Sequence, residues 1–152
     1  MYKRQVLGQL GLESFVKTSG SKGLQAYVPL NTPTDYDQTK PFARAVAELL
    51  AKQHPDRVVS VMTKELRGGK VFVDWSQNDE HKTTACVYSL RARERPTVST
   101  PLAWDEVEQA LGAGRAEQLS FECSEVIERV AQRGDLFAPV LTLTQKLPRF
   151  DA

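Results

Sequence analysis

Cysteine and histidine are scarce in this chain, with two residues of each among 152. Cys86 and Cys123 lie far apart and have no Cys-x-x-Cys partner, which favours two reduced, structural cysteines in the cytosol. His54 precedes a proline at a predicted helix end, where a cation suits the helix dipole, and His81 falls in a predicted turn. Neither histidine is therefore a strong catalytic candidate.

Long apolar runs and a strong excess of one charge are also missing. No apolar run approaches the length of a membrane span and no secretory signal is recognisable, so we expect a cytoplasmic protein with no membrane partner. The formal net charge of +1 gives no global attraction to nucleic acid, so such binding has to use local patches. The apolar fraction of 41% and the length fit one globular domain.

Residues 14–30 form the most informative stretch, because they predict a strand, a tight loop and a second strand. The apolar-rich arms are residues 14–17 and 24–30, and the loop between them holds two glycines. Glycines let successive backbone N–H groups form an anion-binding concavity. The loop also supplies hydroxyl groups and one positive charge, from Ser19, Ser21 and Lys22. A phosphate chain fits this chemistry, and a plain hairpin turn explains the residues equally well.

The rest of the hydrophobic pattern predicts an α+β fold. We predict helices over residues 41–53, 60–66, 104–111 and 124–133, strands over residues 71–75 and 84–91, and the tail of a helix over residues 6–10. Pro41 suits the first turn of its helix, and Ser124 is the expected N-cap of the last one, which Gly134 ends. Residues 137–147 give no clear prediction.

Asp74 ends the apolar strand predicted over residues 71–75. The pleat puts Asp74 and Phe72 on the face opposite the other three residues. A carboxylate is costly in a dry core unless it is paired, whereas at a pocket wall it can bind a hard cation. A simple strand-end turn residue is the alternative, and the residues alone favour it.

Arg91, Arg93 and Arg95 alternate along the chain, so a continuous strand would place all three on one side. Guanidinium groups suit phosphate because they donate in a bidentate fork. The other interpretation is a solvated edge strand, which deters aggregation.

Five motifs occur in a defined order along the chain. They are Thr18-Ser19-Gly20-Ser21-Lys22-Gly23-Leu24, Val71-Phe72-Val73-Asp74-Trp75-Ser76-Gln77-Asn78, Tyr88-Ser89-Leu90-Arg91-Ala92-Arg93, Val98-Ser99-Thr100-Pro101-Leu102 and Gly134-Asp135-Leu136-Phe137-Ala138-Pro139. Together they resemble the polymerase domain of bacterial ligase D, the end-joining ligase, a primase-polymerase of the archaeo-eukaryotic primase superfamily. The resemblance runs from about residue 6 to about residue 148.

This resemblance implies the C-terminal part of a primase-polymerase catalytic core, an antiparallel-rich sheet flanked by helices. It implies template-directed nucleotidyl transfer at DNA ends in non-homologous end joining, with two Mn²⁺ or Mg²⁺ ions. The implied partners are a nucleoside triphosphate, DNA ends, Ku, and the ligase and nuclease domains of the parent protein. The implied location is the bacterial cytoplasm, associated with the nucleoid.

The resemblance also implies roles for individual residues. Asp74 matches the family's third metal-binding aspartate and is the implied catalytic residue. The implied triphosphate-binding residues are Ser19, Gly20, Ser21, Lys22, Gln25, Arg91 and Arg93. Many relatives carry a histidine just after the glycine-rich loop; this chain has Gln25 there, whose amide can still donate a hydrogen bond.

The family's paired metal-binding aspartates, an Asp-x-Asp, lie upstream of the segment that starts here at Gly11. Asp35 and Asp37 imitate that pair, but they follow the glycine-rich loop and precede a helix, where capping favours aspartate. We therefore expect residues 6–152 to be a truncated domain that lacks its N-terminal half, and residues 1–5 to be a foreign, adapter-derived tail. We also expect the isolated chain to be inactive or nearly so. A nucleotide- or nucleic-acid-binding module without catalysis, and a purely structural domain, are the alternatives.

Overall fold

The computed structural model describes residues 1–148. Within that range the α-helices and strands are α1 (Tyr2–Gln9), β1 (Phe15–Thr18), β2 (Leu24–Tyr27), α2 (Tyr36–Gln53), β3 (Val58–Val59), β4 (Val71–Phe72), β5 (Pro101–Leu102), α3 (Trp104–Ala113) and α4 (Cys123–Arg133). Short 3₁₀ helices cover Lys64–Arg67, Ala116–Leu119 and Ala138–Leu141. Among the helices of this described part, none has the length and apolar character needed to cross a membrane.

Two small sheets organise the strands. In the antiparallel sheet β1 lies between β2 and β5, and the pairing of Thr18 with Leu24 closes the β1–β2 hairpin around the glycine-rich loop. In the second sheet β3 and β4 run parallel, with Val58 opposite Val71. The predicted α+β class with an antiparallel-rich sheet is confirmed.

Two hydrophobic clusters hold these sheets in place. The first packs α2 against α1, β3 and the residue after β4, and consists of Val6, Val46, Ala47, Leu50, Val58 and Val73. The second joins β1, β5 and α3 through Val16, Leu102 and Val107. Burying one large apolar side chain of this kind contributes about 1.5–3 kcal/mol to stability. The two clusters therefore hold β1, which leads into the hairpin loop, and Val73, which precedes Asp74, in fixed positions.

The strand predicted over residues 84–91 is wrong. Only Leu90 in that segment forms a β-bridge, to Val98. Tyr88 has a φ of +64°, and a non-glycine residue with positive φ cannot continue a pleated strand. A turn forms instead, in which the Ser89 N–H donates to the Cys86 carbonyl at 3.3 Å. The strand beside β4 is therefore β3, in a segment to which the sequence analysis assigned no element.

Several helix boundaries differ from the predictions. In place of the helix predicted over residues 60–66, the chain forms the 3₁₀ helix Lys64–Arg67, which overlaps only the end of that range. Helix α2 begins at Tyr36, so Pro41 lies inside it and not in its first turn; the start is fixed by Asp35, whose carboxylate accepts from the Gln38 N–H at 3.0 Å. The expected capping role of this aspartate is confirmed.

Helix α4 begins one residue before the expected N-cap. Glu122 occupies the N-cap position, and its backbone N–H donates to the Glu125 carboxylate at 2.7 Å, so Ser124 lies inside the helix. Gly134 ends α4 with a φ of +71°, as predicted. At the other end of the chain, Tyr2 is already helical and packs on the first cluster. The foreign origin of residues 1–5 stays a prediction.

Candidate functional site

A cleft of about 820 Å³ opens between the β1–β2 hairpin, the first half of α2, helix α1 and the segment that follows β4. Five of the residues predicted from the sequence line it: Ser19, Ser21, Gln25, Asp74 and Arg91. The volume lies within the range of small-molecule sites. The fold thus brings the hairpin loop, the aspartate after β4 and the first arginine of the predicted run to one concave surface.

The glycine-rich loop closes on itself at the rim of the cleft. The Ser19 N–H donates to the Gly23 carbonyl at 2.8 Å, and the Gly23 N–H donates to the Ser19 Oγ at 3.3 Å. Gly20 is buried with a φ of +64°, a conformation that favours glycine. Ser21 and Lys22 are exposed at the tip, and only Ser21 of these two is among the residues lining the cleft.

Arg91 rests directly on Gly20. A Cβ added to Gly20 would lie 2.5 Å from the Arg91 Cγ and 3.0 Å from the Ser99 nitrogen, so only glycine leaves room for the arginine stem. The Arg91 N–H donates to the Thr97 carbonyl at 2.9 Å. Within residues 1–148, no hydrogen bond or ion pair engages the Arg91 guanidinium. Its fork of donors is therefore available to an anion in the cleft.

The other two arginines diverge from Arg91, because the segment is not a strand. Arg93 is exposed, does not line the cleft, and donates from Nη2 to the Ser21 Oγ at the tip of the loop. Arg95 donates to the Glu122 carboxylate at 2.5 Å, and neither residue of this pair lines the cleft. One arginine thus faces the cleft, one braces the loop and one is paired.

Asp74 lies at the cleft wall and also forms the hydrogen bonds of a turn. It lines the cleft directly after buried Val73, and its carboxylate also organises the turn that follows. Oδ1 accepts from the Ser76 N–H at 3.1 Å and from the Ser76 Oγ at 2.6 Å, and Oδ2 accepts from the Gln77 Nε2 at 3.2 Å. Such bonds fix the position of a carboxylate that could act as a ligand.

The metal chemistry of this cleft is incomplete in the described part of the chain. Asp74 is the single carboxylate among the cleft-lining residues, and residues 1–148 contain no group of three or more His, Cys, Asp or Glu placed to hold a metal ion. A divalent ion needs several oxygen ligands. The described residues therefore fit one ligand of a metal site and not a whole site.

The sequence analysis singled out neither of two cleft-lining lysines, and it did not show the burial of the Oε1 atom of the predicted residue Gln25. Lys3 and Lys82 also line the cleft, and burial lowers the pKa of Lys3 while the nearby Asp74 raises it. The Gln25 Oε1 is buried and has no hydrogen-bond donor among the described residues. Single lysines in a helix or a polar turn follow no pattern that would single them out.

A buried hydroxyl cluster supports the glycine-rich loop from below. Its members are Thr18, Thr97, Ser99 and Thr100. The Thr97 Oγ1 donates to the Gly20 carbonyl at 2.9 Å, and the Ser99 Oγ donates to the Thr18 carbonyl at 2.8 Å. Because buried hydroxyl groups are costly when unpaired, these bonds hold the loop in one geometry. No pattern in the sequence indicates that these residues pair with one another.

Comparison with known proteins places these features in a family. The family model described as the LigD primase-polymerase domain matches residues 1–137. The multifunctional non-homologous end joining protein LigD of Mycolicibacterium smegmatis is 45% identical over 137 residues, which are 90% of this chain and 17% of that protein. The bifunctional LigD protein of Bacillus subtilis is 33% identical over 132 residues, which are 86% of this chain and 21% of that protein.

A solved structure is similar as well. The polymerase domain from Mycobacterium tuberculosis ligase D in complex with DNA superposes with a TM-score of 0.84 and 41% sequence identity, over 95% of this chain and 48% of that one. The chain therefore spans about half of that domain and about a fifth of the full-length relatives.

Proposed function

Because this chain belongs to the LigD primase-polymerase family, we propose that it forms the triphosphate-binding part of a nucleotidyl-transfer site that works on DNA ends in a longer end-joining protein. One observation carries this proposal. The glycine-rich loop, Arg91 and Asp74 are far apart in sequence and share one cleft. The similar polymerase domain was solved in complex with DNA, and we extend that ligand to this chain as part of the proposal.

The predicted residues in the cleft and on the glycine-rich loop each have a task in binding the incoming nucleotide. Arg91 donates two parallel hydrogen bonds to phosphate oxygens, and Lys22 adds a mobile charge at the loop tip. The Ser19 and Ser21 hydroxyl groups donate to further phosphate oxygens, and Arg93 keeps Ser21 in place. Gln25 offers its buried Oε1 to a hydroxyl donor of the ligand. These contacts neutralise the triphosphate and orient it for attack by a primer 3′-hydroxyl.

Asp74 would hold one of the divalent ions that nucleotidyl transfer uses, Mn²⁺ or Mg²⁺. Bound metal ions would stabilise the charge that develops on the triphosphate. The remaining carboxylates have to come from outside the described residues. On this proposal Ku and attached ligase and nuclease domains are partners of the parent protein, which acts in the bacterial cytoplasm on nucleoid DNA.

Binding of metal-free ATP tests the anion site. We expect weak binding that decreases as salt rises, because the contacts are between charges. Lys22→Ala and Arg91→Ala should each weaken binding by about 1.5–3 kcal/mol, the range for a hydrogen bond to a charged group. Arg95→Ala is the matched control, since Arg95 is paired with Glu122 away from the cleft, and it should bind like the wild type. Wild-type protein that folds but does not bind ATP would refute the proposal.

Primer extension tests the role of Asp74. The segment that precedes the match in a relative, including its Asp-x-Asp, is joined to this chain at residue 6, and Mn²⁺-dependent extension is measured. Asp74→Asn should abolish extension and keep most of the stability, because the amide oxygen can still accept from Ser76. Asp35→Ala should extend like the unmodified fusion, since that residue caps α2. An essential Asp35 with a dispensable Asp74 would contradict the assignment.

A binding module without catalysis is the second candidate. It is favoured by one observation, the single carboxylate among the cleft-lining residues. ATP binding by the chain, together with a fusion that remains inactive although it folds, would support this candidate. Extension by the fusion would exclude it.

A further inference from the structure

Lys17 is 1% exposed although it carries an ammonium group. It lies in β1, next to the glycine-rich loop, and the sequence motifs assign it no function. A buried charge is costly unless its protons are bonded. The Lys17 Nζ donates to the Ala85 carbonyl at 2.7 Å and to the Ser99 Oγ at 2.6 Å, and it lies 5.7 Å from the centroid of the Tyr27 ring.

One acceptor of Lys17 lies in the segment that contains Arg91, and the other lies in the segment that is hydrogen-bonded to it. The Ser99 N–H donates to the Ser89 carbonyl at 2.9 Å, and the Arg91 N–H donates to the Thr97 carbonyl at 2.9 Å, so residues 97–100 run beside residues 88–91. The first of these acceptors lies six residues before Arg91 and lines the cleft. Through Ser99 the ammonium also meets the buried hydroxyl cluster that supports the loop. The Lys17 side chain thus connects the base of the glycine-rich loop with the backbone segments that hold Arg91.

We propose that Lys17 is a positioning residue for the triphosphate site, whose protonated amine holds the glycine-rich loop and Arg91 in the relative position that binds the anion. This inference rests on the proposed function. Lys17 itself does not line the cleft, so its effect passes through the loop and Arg91. Charge matters to this role because a protonated amine makes stronger hydrogen bonds and a stronger contact with the Tyr27 ring than a neutral amine does.

The charges around Lys17 connect its proton to anion binding. Burial is the main cause that lowers the pKa of Lys17 to about 8; Cys86 raises it and Arg91 lowers it. Tyr27, which also faces this amine, has a raised pKa because of burial and of Cys86. A triphosphate held by Arg91 adds negative charge beside both cations and therefore favours the protonated lysine. By reciprocity, the protonated lysine favours the triphosphate.

Calorimetric titration with metal-free ATP tests this coupling in the full chain. Titrations at about pH 8, in two buffers of different ionisation enthalpy, give the number of protons taken up on binding. We expect proton uptake by the wild type, and affinity that falls severalfold between about pH 7 and about pH 9.5. Lys17→Met should bind about tenfold more weakly at pH 7, within the range by which residues behind a site modulate binding, and should take up no protons.

Three controls separate the possible sources of the protons. Cys86→Ser removes the facing thiol and should retain the uptake. Lys3→Gln removes a partly buried lysine that lines the cleft and should also retain the proton uptake. Lys17→Arg keeps a charge at all these pH values, so its affinity should not fall with pH. If Lys17→Met does not fold, proton uptake by the wild type and by the Lys3→Gln and Cys86→Ser variants decides the question.

The outcomes distinguish the two proposals. ATP binding by the wild type with no proton uptake, or uptake that disappears in Lys3→Gln, would overturn the role of Lys17 and leave the proposed function intact. A Lys17→Met variant that melts cooperatively and binds ATP with wild-type affinity and pH dependence would show that Lys17 serves stability alone. Absence of ATP binding by folded wild type would overturn both proposals.

Discussion

Replacing Gly20 by alanine tests whether the loop and Arg91 form one unit. The φ of +64° at Gly20 costs an L-residue about 1–2 kcal/mol. The new Cβ would lie 2.5 Å from the Arg91 Cγ, and 3.0 and 3.1 Å from backbone atoms of residues 99 and 98. The arginine can swing away, but the buried backbone moves only with strain, and overpacking costs about 1–3 kcal/mol. We expect a loss of about 2–5 kcal/mol in the free energy of unfolding.

Gly114 provides a matched control for the backbone part of this loss. Its φ is +65°, and an added Cβ would meet no atom within 4 Å. Gly114→Ala should therefore cost only about 1–2 kcal/mol. Urea unfolding, analysed by linear extrapolation, measures both variants. Equal losses would refute the close packing of Gly20 against residues 91 and 98–99.

The contribution of Arg91 to that packing can be isolated with a double-mutant cycle. Arg91→Ala removes the Cγ that an alanine at position 20 would strike, so Gly20→Ala should cost less in that background, with a coupling energy of about 0.5–3 kcal/mol. The ATP affinity of Gly20→Ala should fall to that of Arg91→Ala, because the displaced guanidinium leaves the site. Strictly additive unfolding energies, or unchanged ATP affinity in Gly20→Ala, would show that the two residues act independently.

Two further predictions concern stability. Asp35→Ala should lower the free energy of unfolding by about 0.5–2 kcal/mol, because it removes the N-cap bond to the Gln38 N–H. Asp37→Ala loses only a favourable interaction with the helix dipole and should cost about 0.3–1 kcal/mol. Urea unfolding that gives the opposite order would contradict the capping role of Asp35. Folding lowers the pKa of Lys17 from the ordinary value of 10.5 to about 8. Between these two pH values the unfolded chain therefore binds more protons than the folded chain, so the free energy of unfolding rises with pH. The unfolding free energy of wild type relative to Lys17→Met should therefore increase across this range, and a decrease would contradict the sign.

The parts of the site that could be predicted are those fixed by short-range chemistry. The glycine-rich loop follows from glycines between two apolar arms, and its hairpin needs only the pairing of β1 with the next strand. The place of Asp74 follows from a short apolar run that has to be buried before the chain turns. Asp35 at the start of α2 follows from capping preferences. In each case the deciding contacts lie within a few residues in sequence.

The parts that could not be predicted depend on contacts between distant residues. Tyr88 adopts its positive φ, which ends the expected strand, while its hydroxyl donates to the Asp135 Oδ1 at 2.5 Å. The residue pattern that predicted a strand over residues 84–91 carries no information about a contact with Asp135. The parallel pair β3–β4 has two residues in each strand, too few for any periodicity. Lys17 ends the first predicted strand arm, and nothing in the residues around it indicates that it is buried on acceptors from residues 85 and 99.

The local charge of the cleft, and not the net charge of the chain, bears on the proposed binding of a triphosphate. The net charge is +1, yet Lys3, Lys82 and Arg91 line the cleft against the single carboxylate of Asp74. Lys22 at the loop tip adds a further positive charge near the opening. A concave wall of low dielectric focuses such a field, so local arrangement and not total charge governs attraction of a triphosphate. On the proposed function, the same cations would offset the repulsion between the Asp74 carboxylate and the phosphates, and a divalent ion bound to that carboxylate would reverse the sign of the local charge.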